Sequence, residues 1–170
     1  MDTVQLQFEQ GVGDRFAEWL ATTSGAECSF LRRADRAPDL VYSFKGSELL
    51  IEVTAAYYDG THAAFLWKQA RGSADAPTGW SGVNPDKSLA AAIAERVTEK
   101  SKKQYGKNAI LLIEIPPGVT SAETLVKLLA DQPVAFETSF MGIFVVGNFP
   151  ITTESTGGFR VIPIKPLASA

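Results

Sequence analysis

At 170 residues the chain has the length of one domain, and a hydrophobic fraction of 45% is enough to build a core. A single cysteine, Cys28, and a single histidine, His62, exclude an internal disulfide, a Cys/His zinc site and any Ser-His-Asp triad that does not use His62. No apolar run approaches a membrane span, the first ten residues lack the basic start and apolar run of a secretory leader, and the net charge of −3 leaves nucleic-acid binding to local patches, so the expectation is a cytoplasmic protein.

Taken in order, Phe8, Val12, Phe16, Trp19 and Leu20 repeat at helical spacing. Gly11 and Gly13 weaken that helix, which places its firm part from Asp14 to about Ser24. Glu9 lies at the edge of the apolar stripe and joins the helix only if it reaches back that far, whereas Glu18 points away. Glu27 to Arg33 reads as a strand. Asp35, in the connector that follows, reads as turn chemistry.

Pro38 to Tyr57, PDLVYSFKGSELLIEVTAAY, reads as a hairpin turning at Gly46–Ser47, with Lys45 opposite Glu48 and Val41 opposite Glu52. Alternation puts Leu40, Tyr42, Phe44, Leu49, Ile51, Val53 and Ala55 on one face. Asp39, Val41, Ser43, Leu50, Glu52 and Thr54 share the other. Asp39 and Glu52 then lie diagonally across adjacent strands, with Cβ atoms roughly 7 Å apart. Two carboxylates on one face can converge on a hard cation, and with no Cys/His set available the candidates are Mg2+ or Mn2+.

Residues 58–84 form a long loop leaving the strand that carries Glu52. It holds His62 as well as Trp67, Lys68, Arg71 and Trp80, residue types that stack on bases and pair with phosphates. Arg32, Arg33 and Arg36, and separately Lys100, Lys102, Lys103 and Lys107, make two basic patches that could meet phosphates. Each patch can equally be a solvated edge.

Asn84-Pro85-Asp86 starts a helix with the stripe Leu89, Ile93 and Val97, running to about Tyr105. Ala109 to Ile115, AILLIEI, is a strand covered on both faces, parallel to the Glu52 strand across a right-handed crossover. Thr120 to Asp131 is a short helix with a capping box at Thr120 and Glu123. Met141 to Asn148 is a further buried strand, and Gly158 to Lys165 is an edge strand marked by Pro163. The expected fold is a single α/β domain over residues 1–170. Its core is α-β-β-β-α-β, a mixed central sheet flanked by helices, with an extra C-terminal helix and strands.

Pro38-Asp39, a strand, and then Glu52-Val53-Thr54 resemble the PD-(D/E)XK nuclease superfamily, and the element order matches the restriction-endonuclease-like core of that superfamily. The resemblance implies a magnesium-dependent endonuclease acting on nucleic acid, DNA in the first instance, and is compatible with a homodimer. It implies metal on Asp39 and Glu52, with the Val53 carbonyl as an extra ligand, and a supporting glutamate on the first helix, here Glu9. Arg33, Arg36, Lys68 and Arg71 become the nucleic-acid-binding candidates. The chain departs from the pattern at Thr54, where the family carries lysine. Threonine can hold a water by hydrogen bonding but supplies no positive charge. Lys87 and Lys100 are the nearest substitutes on the crossover helix, the first facing away from its stripe and the second at the end remote from the expected site. A module on the same fold that binds nucleic acid without cutting it, and an interaction protein gripping a partner with its long loop, remain the other readings.

Overall fold

The computed structural model describes residues 3–57, 84–132, 137–153 and 156–168. In these, helix α1 (Thr3–Ser24) leads into strands β1 (Cys28–Arg33), β2 (Leu40–Phe44) and β3 (Ser47–Ala55). Helix α2 (Pro85–Ser101) and strand β4 (Ala109–Glu114) follow, then helix α3 (Ala122–Ala130) and strands β5 (Gly142–Phe149) and β6 (Gly158–Lys165). The six strands lie side by side in chain order. β1, β2 and β3 are antiparallel, β3, β4 and β5 are parallel, and β6 returns antiparallel to β5. This is the mixed α/β sandwich that the pattern of strand and helix periods predicts.

One face of the sheet is covered by α1. Val12, Phe16, Ala17 and Leu20 pack on Leu40, Tyr42, Ile51, Val53, Ile110, Leu112 and Val146. The helix presses close: a methyl group on Gly13 would come within 2.5 Å of Leu40 Cδ1, so only glycine fits there without displacement. α1 runs through both glycines and already includes Thr3, well before Asp14. Burial of the stripe and the need for a flat approach outweigh the intrinsic cost of two helical glycines, about 1 kcal/mol each. The opposite face carries α2 and α3, with Leu89, Ile93, Val97 and Leu125 against Leu111, Ile113 and Val145. β4 is buried over five of its six residues, as its unbroken apolar run requires.

The β2–β3 turn differs from the expected one. Its central residues are Lys45 and Gly46, both with positive φ (49° and 75°), and the ladder pairs Phe44 with Ser47, Val41 with Leu50 and Leu40 with Ile51. Positive φ at both central positions is the turn whose twist matches that of paired strands, and Gly46 takes the second of them. Moving a two-residue turn by one position changes each cross-strand partner by two residues. Parity, and therefore the face of every side chain, is unchanged. Two smaller differences concern helix ends. α2 stops at Ser101, releasing Tyr105 into the connection to β4. α3 is capped by Ser121, whose hydroxyl accepts from the Thr124 N–H at 3.1 Å, in place of the Thr120–Glu123 box.

Candidate functional site

Extending the observed register one step past Leu40–Ile51 sets Asp39 directly across from Glu52, closer than the diagonal placement that the other turn would give. Asp39 stands just before β2 and is fixed by its own side chain: Oδ2 accepts the Val53 N–H at 2.8 Å. Glu52 projects from mid-β3 toward the α2 face and is only 3% exposed. Its Oε1 accepts from Lys100 Nζ at 2.6 Å and from the Tyr105 hydroxyl at 3.2 Å. Its Oε2 is buried and has no hydrogen-bond partner.

Asp39, Glu52 and Lys100 line a cavity of about 280 Å³ together with Gln5, Phe8, Glu9, Thr54 and Tyr57. Glu9 reaches it because α1 extends back to Thr3. Both of its oxygens are engaged, Oε1 by Gln5 Nε2 at 3.0 Å and Oε2 by Arg33 Nη1 at 3.2 Å. Arg33 also donates to the Leu6 carbonyl oxygen. Of the arginines proposed to meet phosphates, Arg33 is thus turned inward onto α1, Arg32 pairs with Glu48, and Arg36 is exposed between β1 and β2. Lys68 and Arg71, with His62, Trp67 and Trp80, lie outside the described residues.

Burial raises the Asp39 carboxyl from its ordinary 3.8 to about 6, opposed by the Val53 N–H and reinforced by the negative charges of Glu52 and Glu9. Lys100 lowers it, but not enough to cancel burial. Burial, more than the neighbouring charges, therefore opposes ionisation of Asp39. Among the described residues no group of three or more His, Cys, Asp or Glu side chains is gathered closely enough to hold a metal ion. A divalent ion here would rest on Asp39 and Glu52, completed by backbone and water oxygens, a donor set of the kind magnesium accepts. The partnerless Glu52 Oε2 fits such an ion, since a buried carboxylate oxygen without a donor is costly unless a cation meets it.

Of the two substitutes on the crossover helix, Lys100 is the one that lines the cavity. It continues the stripe Leu89, Ile93 and Val97 three residues further on, so its stem lies against the sheet and carries the ammonium inward. The sequence places the site at the carboxyl end of the Glu52 strand, near the start of α2, which makes Lys100 remote. Glu52 sits at mid-strand, within reach of the last turn of α2. Lys100 Nζ is the ammonium that meets Glu52, at 2.6 Å.

No family model matches the chain, and no curated protein matches its sequence. Among solved structures, SfsA of Pyrococcus furiosus in complex with Ca2+ is similar at a TM-score of 0.31 and 14% identity. The match covers 98% of this chain, which spans 64% of the length of that protein. No helix among the described residues is long and apolar enough to cross a membrane.

Proposed function

We propose that the chain hydrolyses nucleic-acid phosphodiester bonds, DNA first among them, with Mg2+ or Mn2+ held by Asp39 and Glu52. One observation carries this reading: a buried glutamate with an unmatched oxygen faces an aspartate whose ionisation the cavity opposes, and a lysine stands beside them. A bound dication would lower the pKa of a coordinated water and offset charge on the phosphate. The chain's own groups do the rest. Lys100, held by Glu52, presents its remaining N–H donors to a phosphoryl oxygen as negative charge develops there. The Thr54 hydroxyl holds and orients a water by hydrogen bonding. Glu9, pinned by Arg33 and Gln5, keeps the field around Asp39 negative and so favours a dication over a proton.

Mn2+ titration and a cleavage assay test this together. Wild type binds Mn2+ and cuts, whereas Asp39→Asn and Glu52→Gln each lose both. Cleavage that survives both substitutions would sink the proposal. A module that binds nucleic acid without cutting it draws on a different fact, that Lys100 already neutralises one oxygen of Glu52. It predicts salt-sensitive binding and no cleavage in any divalent metal.

A further inference from the structure

In the acidic cavity each of the two facing carboxylates has one oxygen tied down. Val53 N–H holds Asp39 Oδ2 at 2.8 Å, and Lys100 and Tyr105 hold Glu52 Oε1, while Glu52 Oε2 stays without a partner. The two groups on Oε1 are not equivalent. Lysine has a flexible stem, so its ammonium follows the carboxylate if that group turns. Tyr105 does not follow. It is 4% exposed, and its ring stacks on Phe140 with centroids 4.8 Å apart. Its hydroxyl is therefore a donor fixed in place against Oε1 at 3.2 Å.

We infer that Tyr105 is a positioning residue that sets which cation the cavity takes. By holding Glu52 Oε1, it leaves each carboxylate one oxygen to offer, an arrangement that favours a small octahedral dication such as Mn2+ or Mg2+ over Ca2+. The inference rests on the metal-dependent reading above and adds the choice of metal to it. Its physical basis is coordination. Ca2+ takes about 6–8 oxygens and welcomes bidentate carboxylates, whereas Mg2+ holds to six short bonds, with one or two carboxylates and several waters. A glutamate free to rotate can offer both oxygens to the larger ion, and a pinned one cannot.

A second buried tyrosine provides the control. Tyr42, on the α1 face, donates to Asp14 Oδ1 at 2.6 Å, away from the cavity. Calorimetric titration of the metal-free full chain with Mn2+ and with Ca2+ is the experiment, on wild type, Tyr105→Phe and Tyr42→Phe. Wild type is expected to bind Mn2+ at least about 10-fold tighter than Ca2+. Tyr105→Phe should shrink that preference about 10-fold, the size of effect seen when a partner of a metal ligand is removed. Tyr42→Phe should lower the melting temperature and leave the preference alone. An unchanged ratio in Tyr105→Phe overturns the inference, and so does a wild type that binds Ca2+ as tightly as Mn2+. The latter measurement needs no variant to fold. Wild type that binds no Mn2+ removes the metal-dependent reading itself, and this inference with it. Mn2+ binding with an unaltered ratio removes this inference alone.

Discussion

Two glutamates on β3, four residues apart, meet opposite environments. Glu48 pairs with Arg32 at 3.0 Å, and the two side chains are 53% and 54% exposed. Glu52 pairs with Lys100 at 2.6 Å, and there the exposures are 5% and 20%. The surface pair exchanges one well-solvated arrangement for another, so it contributes about 0–1 kcal/mol and less in salt. The buried pair has given up its water. It gains a stronger attraction, but Glu52 Oε2 is left unmatched, and removing the lysine would leave a whole charge stranded. Residue type and strand are the same. What differs is that α2 lies over Glu52 while Glu48 stands in solvent, and that turns an ordinary ion pair into a buried one with an unmatched oxygen.

The sharpest way to break this comparison is Lys100→Ala. Urea unfolding in metal-free buffer should show a loss of about 3 kcal/mol, the scale for orphaning a buried charge. A loss below about 1 kcal/mol would put Glu52 in the same class as Glu48. Next in size is the pH response of Asp39. Its carboxyl titrates near 6 in the folded chain against 3.8 ordinarily, so between these values the folded chain keeps a proton that the unfolded chain has released. Stability therefore falls as pH rises from about 4 to about 6 and levels off above. The fall should be about 1 kcal/mol once partial exposure is allowed for. Asp39→Asn should remove it, and saturating Mn2+ should reverse it. Comparing the two proteins cancels Glu114, which burial raises to about 7 and which titrates in the neighbouring window. If the two pH profiles superimpose, the cavity does not oppose ionisation of Asp39. The smallest effect belongs to Arg32→Ala, expected below about 0.5 kcal/mol and absent at 1 M salt. A larger cost would mean that the Arg32–Glu48 pair holds the β1 edge in place.

Much of the fold could be read from local pattern. The apolar run at Ala109 to Ile115 became a buried central strand, and the Asn84-Pro85 start and the stripe Leu89, Ile93 and Val97 became α2. Asp39 and Glu52 fall on one face with either turn, because sliding a two-residue turn by one position conserves parity. The first helix runs further back than its local propensity implies, since two glycines lower that propensity and the packing of Gly13 against Leu40 and Tyr42 is not local. The place of Glu9 depends on that backward extension. Arg32, Arg33 and Arg36 make one cluster along the chain, yet the strand sends neighbouring side chains to different partners, Glu48 for one and Glu9 for the next.

By itself, then, the order of residues determined the elements, their sequence and the side of the sheet on which each strand residue stands, because alternation and helical period are short-range consequences of backbone geometry. Tertiary structure alone decided the company that Glu52 keeps. Lys100 and Tyr105 arrive from 48 and 53 positions away, across a crossover whose docking depends on how α2 settles onto the whole sheet. No local period carries that information, since the meeting of these groups is set by packing area and helix length rather than by their neighbours in the chain.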